Sequence, residues 1–223
     1  MGKTLTKIVY SVAEEVSGFE LNDDSPFSML WIEDQIITQN HTLIRKAQTE
    51  RRLDEMLYMT DDNILVKVFD KTSVIAGIPI SNCHEFSYIN VKMLLTGLKG
   101  AEIAFVSNAG YSIIFRRTSI EKLVRGSSGY YSLGKPEYAI LDNTLVFKTS
   151  QLAGLKYVSI SAIFNDPREV SSWDENDTFK TPSEKNLELL TIQHIDHALQ
   201  HNPDLFNDGN RVEAAMSQTK SEE

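Results

Sequence analysis

The sequence predicts an α+β fold with helices near both ends of the chain and strands between them. The first observation is amphipathic helical periodicity in the N-terminal region, and the second is a series of short β-branched runs separated by turn residues. The third is a proline-punctuated helical segment before the C-terminus. Together they predict an N-terminal helical bundle or hairpin, an antiparallel β-rich middle, a C-terminal helix and a flexible tail.

Two helices are predicted in the N-terminal region. Apolar residues at helical spacing form one stripe of the first helix: Leu5, Ile8, Val9, Val12 and Val16. The second helix is expected to begin at Asp24 or Ser25, because either side chain can cap it and Pro26 suits the first helical position. It should run to about residue 48.

The middle of the chain carries strand patterns. Turn signals at residues 107–110 and 142–143 each separate two apolar runs and so predict two hairpins. Near residue 160 small or polar residues alternate with apolar ones: Tyr157, Ser159 and Ser161 against Val158, Ile160 and Ala162. This period of two is typical of a strand with one buried face. Residues 87–98 fit either a short helix or a strand.

The C-terminal helix has a clear start signal. Thr181, Pro182 and Glu184 match a capping box, in which the Glu184 carboxylate accepts the Thr181 backbone N–H. The helix should run to about His201. We therefore predict that residues 1–56 and 165–210 pack as one domain, that residues 57–164 form a β-rich module, and that residues 211–223 are a flexible tail.

Composition limits the functional class. The 223 residues are 41% hydrophobic and 24% charged, as in ordinary globular proteins, and the net charge is −9. This acidic balance argues against a protein that coats nucleic acid, since such proteins neutralise phosphates with Lys and Arg. One cysteine allows neither an intrachain disulfide nor a Cys-rich zinc site. We expect no signal peptide and no membrane span.

One stretch resembles a nucleotide-binding P-loop, with Gly129 followed after four residues by Gly134 and Lys135. Pro136 stands where a Ser or Thr should ligate Mg²⁺, and the pattern that follows is a hairpin, whereas the P-loop needs a helix. We therefore interpret the stretch as an aromatic-bearing loop between strands.

Three histidines fall on one face of the C-terminal helix, because His194, His197 and His201 are spaced i, i+3 and i+7. Zinc accepts three such nitrogens and a water, but no second-shell carboxylate or ligand from another element can be identified. The face could equally be a polar flank, or a subunit interface whose assembly depends on pH. No Ser–His–Asp or Cys–His set is recognisable, and the carboxylate pair Asp61 and Asp62 falls in a segment expected to be a solvated helix or turn. We predict no metal, no cofactor and no enzymatic activity.

The order of segments resembles a known family. An N-terminal amphipathic helix is followed by "LNDDSPFSMLWIEDQIITQNHTLIRKA", a strand-rich middle, the strand and turn "KYVSISAIFNDPREV", and a Pro-capped helix ending in "NPDLFNDGN". This order is similar to that of the head-to-tail connector proteins, also called ring or adaptor proteins, of short-tailed phages, in particular the crAss-like phages. The likeness covers roughly residues 3–210. The family turn is matched by these residues: Ile163, Phe164, Asp166, Pro167, Arg168 and Glu169.

The resemblance implies a structural virion protein rather than an enzyme. Such connectors form a ring of about twelve subunits beneath the portal, extend the DNA channel and attach the tail, in the neck of a virion assembled in the host cytoplasm. Implied partners are copies of the chain, the portal protein and adjacent ring or tail proteins. DNA passes without sequence-specific binding, and no membrane is involved. The acidic balance suits a channel lining, although it could serve solubility alone.

The same resemblance selects candidate interaction residues. They are Tyr130, Tyr131 and Lys135 in the loop, Asp166, Arg168 and Glu169 in the turn, and His194, His197 and His201 on the helix. Arg168 is expected to form a fork with a carboxylate, and a salt bridge internal to the fold is favoured over a portal contact.

Two other functions are compatible with the residues. One is a glycan- or host-binding β module whose aromatic stacking surface includes Tyr130, Tyr131 and Trp173. The other is an unrecognised enzyme that uses the histidine-rich helix.

Overall fold

The structure is a computed structural model that describes residues 2–17, 28–68, 74–75, 78–79, 86–98, 100–125, 136–141, 143–148 and 155–201. The predicted α+β class, with helices at the N-terminus and another at the C-terminus, is confirmed. The chain divides into two compact units. A helical unit comprises Met1–Asp54 and Asp174–Glu223, and a sheet unit comprises Glu55–Trp173. The predicted tail at 211–223 lies outside the described residues.

The described residues contain four α-helices and two short 3₁₀ helices. The α-helices are α1 (Leu5–Val16), α2 (Met29–Thr49), α3 (Ile120–Arg125) and α4 (Glu184–His201). The 3₁₀ helices are Glu55–Leu57 and Pro167–Glu169.

Helices α1, α2 and α4 pack against one another in the helical unit. The predicted stripe of α1 is buried through Val12, and α2 buries Ile32, Ile36, Leu43 and Ala47, as expected from its period. The start of α2 was predicted wrongly, because its N-cap is Ser28, whose hydroxyl accepts the Trp31 N–H at 3.1 Å. The residues predicted to cap it, 24–26, lie outside the described part of the chain.

The predicted capping box of α4 is also corrected. The helix begins at Glu184 itself, and the Ser183 hydroxyl accepts the Asn186 N–H at 3.4 Å. The Glu184 carboxylate instead accepts the backbone N–H of Lys3 at 2.8 Å. A partner distant in sequence has therefore taken the place of the local one, and it holds the chain before α1 against the start of α4.

Residues just before α4 attach to both N-terminal helices. The Phe179 backbone N–H donates to the Lys3 carbonyl at 2.9 Å, and the Phe179 side chain is buried. Asn40 of α2 is also buried and donates from Nδ2 to the Lys180 carbonyl at 3.0 Å. Since a buried amide needs a partner, this bond stabilises the packing of α2 against the segment.

Ten strands are described, and eight of them form one sheet. Their bounds are β1 (Met59–Leu65), β2 (Lys67–Val68), β3 (Val74–Ile75), β4 (Ile78–Pro79), β5 (Phe86–Asn90), β6 (Ile103–Asn108), β7 (Ile114–Arg117), β8 (Glu137–Leu141), β9 (Thr144–Lys148) and β10 (Tyr157–Ala162). The order in the sheet is β1-β10-β6-β7-β8-β9-β5-β2, and β3 pairs only with β4.

The large sheet is mixed and nearly closed. The β7–β8 pair is parallel, and the other described neighbours are antiparallel. Both predicted hairpins are present, as β6–β7 and β8–β9. The first and last strands of the order, β1 and β2, are separated in sequence by Val66 alone. The sheet must therefore curve until its two edges come close together.

The inner face of this sheet forms the core of its unit. Phe115, Tyr138 and Phe147 contribute its aromatic rings, and Phe115 and Phe147 meet edge to face with centroids 5.2 Å apart. In β10, Val158, Ile160 and Ala162 are fully buried on this side, as predicted, but Ser159 and Ser161 on the opposite side are buried as well, so the strand does not have only one buried face.

Three local features differ from the sequence-based interpretation. Asp61 and Asp62, expected in a solvated helix or turn, lie in β1, where a bulge between Asp61 and Ile64 shifts the register. Asn63 occupies the left-handed region at φ 58°, which Asn tolerates better than most residues. Residues 87–98 are a strand end followed by irregular backbone, and α3 occurs where only strands were expected.

Candidate functional site

The turn after β10 folds around its own ion pair. Asp166 caps the 3₁₀ helix Pro167–Glu169 by accepting the Arg168 N–H at 2.9 Å. The Arg168 guanidinium also donates to both carboxylate oxygens, from Nε at 3.0 and 3.2 Å and from Nη2 at 2.8 Å. The expected fork therefore forms, and its carboxylate belongs to the same turn.

This ion pair is partly exposed. The Arg168 side chain retains 31% of its accessible surface and that of Asp166 27%, so water screens the pair substantially. Glu169 points its side chain into solvent. The arrangement favours a structural role for Asp166 and Arg168, whereas Glu169 presents a carboxylate at the surface of the sheet unit.

The histidine face of α4 is only partly assembled. His197 and His201 stack with ring centroids 4.1 Å apart and an angle of 18° between the rings. The His201 Nδ1 lies 2.9 Å from the His197 carbonyl oxygen. All three histidines are exposed, but the described residues hold no cluster of three metal-ligating side chains, so His194 does not complete a site with the other two.

The loop candidates Tyr130, Tyr131 and Lys135 lie outside the described residues. The structure does describe Pro136, whose carbonyl accepts the Arg116 N–H at 2.8 Å immediately before β8. A strand therefore follows this stretch, as predicted, where a phosphate-binding loop would require the N-terminus of a helix.

An exposed apolar surface on the sheet was missed by sequence reasoning. Residues directly opposite one another on antiparallel strands share a face. The register places Leu65 opposite Tyr157, Phe105 opposite Ser161, and Ile114 opposite Ser107. We call the side chains of Leu65, Phe105, Tyr111, Ile114 and Tyr157 the outer sheet face.

Large side chains on this face are accessible. Ile114 is 64% exposed, Leu65 52% and Tyr157 44%, while the serines between them are buried. The alternation noted around β10 was the sequence signal for this face. The alternation put Tyr157 on the face that points away from the core, but it did not show which residues of other strands would surround that side chain.

Tyr111 is held rigidly beside the outer sheet face. Its ring contacts Phe105 edge to face with centroids 6.1 Å apart, and its hydroxyl donates to the Asp62 carboxylate at 2.9 Å. Partial burial, and then the bond to Asp62, raise the pKa of the phenol. The backbone of Tyr111 is left-handed at φ 52°, so the turn directs this side chain at a conformational cost.

Trp173 is unsuited to the stacking role considered for it. Its ring packs against the core cluster of the sheet unit, and its backbone N–H donates to the Val170 carbonyl at 3.0 Å. An aromatic surface for ligands would instead consist of Tyr111 and Tyr157, which are exposed.

No protein-family model matches the chain, and no curated protein matches it significantly. In the described parts of the chain, no helix has the length and apolar content needed to cross a membrane.

Proposed function

We propose that this protein is a subunit of a head-to-tail connector ring in a short-tailed phage, with a structural rather than an enzymatic role. The observation that carries the proposal is the presence of large exposed apolar side chains on both compact units. Surfaces of this kind are typical of proteins that pack against other proteins. The likeness in segment order to the connector family indicates which assembly would cover them.

Each of the three helices in the helical unit exposes a large apolar side chain. Leu30 of α2 is 68% exposed, Tyr10 of α1 51% and Leu189 of α4 51%, although the buried stripes of the same helices already provide a core. Apolar residues outside that core gain free energy when a neighbouring subunit removes them from water, by about 25 cal/mol for each Å² buried. In a closed ring, every copy of the chain makes the same contact with its neighbours, so no copy leaves this apolar contact unmade.

The sheet unit offers an apolar surface, the outer sheet face. A ring subunit that joins a portal to a tail needs contacts with neighbours of its own kind and with rings above and below. The outer sheet face and the exposed apolar side chains of the helical unit provide separate contacts for such neighbours. The turn at Asp166–Glu169 adds a rigid charged feature to the same unit, where Glu169 is available to a basic partner.

The net charge of −9 is consistent with a channel that conducts DNA without holding it, because like charges repel the phosphates. Under this proposal the partners are further copies of the chain, the portal protein and adjacent ring or tail proteins. The site of action is the neck of the virion.

Oligomeric state tests the proposal directly. The purified chain, alone and mixed with the portal of the same phage, should form rings of about twelve copies in negative-stain images and in light scattering. Leu30→Glu should raise the protein concentration required for ring formation at least tenfold, because it places a charge in an apolar contact. Lys7→Glu, which also places a carboxylate at an exposed position but replaces no apolar side chain, is the matched control. The proposal would be refuted if the protein stayed monomeric and did not bind the portal.

The exposed tyrosines favour one alternative, a glycan- or host-binding β module. Tyr111 and Tyr157 present ring faces of the kind that stack on sugars. A glycan array separates the two functions, because the alternative requires saturable binding by the monomer that Tyr157→Ala removes. The connector role requires ring formation whether or not glycans are present.

A further inference from the structure

We propose that His197 and His201 form a two-histidine binding site for a divalent transition metal ion on the last turns of α4. The inference does not depend on the connector role. Two histidines at positions i and i+4 lie on one face of a helix, which is the spacing that places two imidazole nitrogens on a single zinc ion. Both side chains are exposed, so an ion can reach them from solvent.

The hydrogen bond of His201 sets the tautomer that a metal requires. A carbonyl oxygen can only accept, so the contact of 2.9 Å between His201 Nδ1 and the His197 carbonyl makes Nδ1 the protonated nitrogen. The Nε2 atom of neutral His201 then carries the free lone pair. Metal-binding histidines characteristically donate their other ring N–H to a carbonyl or carboxylate in this way.

The two rings are close enough to share an ion but must rotate to do so. They stack with centroids 4.1 Å apart and planes within 18° of parallel. Since imidazole lone pairs lie in the ring plane, both side chains must turn until their Nε2 atoms point at one ion, with the nitrogens roughly 3.4 Å apart for Zn–N bonds of about 2.1 Å. Both rings are exposed, so this rotation is sterically open on the solvent side.

The local charge also favours a cation. His201 is the last residue of α4, where the unpaired carbonyls give the helix terminus partial negative charge. Residues 186–201 include no Lys or Arg, and Asp196 adds a carboxylate next to His197 in sequence, whereas the Glu188 carboxylate is already paired with the Lys3 ammonium. A bound ion would meet no fixed positive charge on this part of the helix.

Imidazole ligands select borderline ions such as Zn²⁺, Ni²⁺ and Cu²⁺ over Mg²⁺ and Ca²⁺, which prefer oxygen. Two protein ligands leave the other positions of the ion to water. His194 is assigned no direct bond, because it makes no cluster of three with the stacked pair. This distinguishes the proposal from a three-histidine zinc centre.

Calorimetric titration of the full-length, tag-free protein with Zn²⁺ in a non-chelating buffer tests the site. One ion should bind per chain, and Mg²⁺ at the same concentrations should give no binding heat. His197→Gln and His201→Gln should each weaken Zn²⁺ binding at least tenfold, while His194→Gln, on the same helix face, should change it less than threefold. Circular dichroism of each variant verifies that α4 is retained.

Two outcomes would overturn the assignment. Equal Zn²⁺ affinity in the wild type and in the His197→Gln/His201→Gln double variant would show that the stacked pair is not the site. A loss in His194→Gln as large as those in the single variants would replace it with a three-histidine site. NMR of the imidazole nitrogens gives an independent readout, since Zn²⁺ should shift the Nε2 resonance of His201 and leave its Nδ1 protonated.

Discussion

Phe147 is the residue of the sheet unit whose removal should cost most. It is fully buried in β9, opposite Tyr138 on β8, and its ring meets that of Phe115 edge to face with centroids 5.2 Å apart. Truncation of a buried Phe to Ala removes its transfer free energy and leaves a cavity, together about 3–5 kcal/mol. Since whole domains are stable by about 5–15 kcal/mol, Phe147→Ala should bring this unit close to unfolding.

The two tryptophans allow this loss to be measured in the sheet unit. Trp173 packs against the same core as Phe147, whereas Trp31 lies on α2 in the helical unit. In a Trp31→Phe background, fluorescence during urea denaturation reports on Trp173 alone. Phe147→Ala should lower the free energy of unfolding by about 3–5 kcal/mol, and Phe147→Leu should lower it less because the cavity is smaller.

Ile114→Ala is the matched control, since Ile114 is 64% exposed on the strand that carries Phe115. It should change the free energy of unfolding by less than about 0.5 kcal/mol. The reasoning fails if Phe147→Ala costs under 1 kcal/mol, or if the control costs as much as the core variant. A double-mutant cycle between Phe115→Leu and Phe147→Leu should give a coupling of about 0.5–1.5 kcal/mol.

Three further changes test other features by denaturation. Asp166→Ala should cost about 0.5–2 kcal/mol through loss of a cap and a partly screened ion pair, with Glu169→Ala neutral as its control. Burial raises the pKa of Tyr138 to about 12. The unfolded phenol ionises first, so Tyr138 should make stability fall between about pH 10 and 12, by up to roughly 2–3 kcal/mol, and Tyr138→Phe should reduce that slope. Gly2→Ala should destabilise the helical unit by up to about 1 kcal/mol, because an added Cβ overlaps the side chains of Thr178 and Glu184, which must move, while Gly110→Ala meets only ordinary contacts.

Patterns that repeat along the chain predicted the fold well. The stripe of α1 and the alternation of β10 depend on which face is buried, and both signals recur over several residues. The turn at Asp166 was also readable, because an Asp-Pro start and an Arg two residues later form their contacts locally.

Features that depend on distant partners were not predictable in the same way. Glu184 has the spacing of a capping-box residue, but its carboxylate binds the backbone of Lys3, 181 positions away. The two aspartates of β1 look solvated in sequence, and only the bulge at Asn63 and the pairing with β10 place them in a sheet. The stacking of His197 on His201 could not be predicted, because it depends on side-chain conformations. Helical spacing alone placed three histidines on one face, whereas only two of the rings stack.

The division of the helical unit between the two ends of the chain determines the order in which this protein can fold during synthesis. Helices α1 and α2 leave the ribosome first, but α4, against which both pack, follows only after the residues of the sheet unit. Residues 55–173 of the sheet unit emerge in between and hold all their strand partners among themselves. The sheet unit can therefore reach its native pairing while the N-terminal helices still expose the apolar stripes that α4 covers. A nascent chain halted before residue 184 should show a protease-resistant sheet unit and protease-sensitive N-terminal helices.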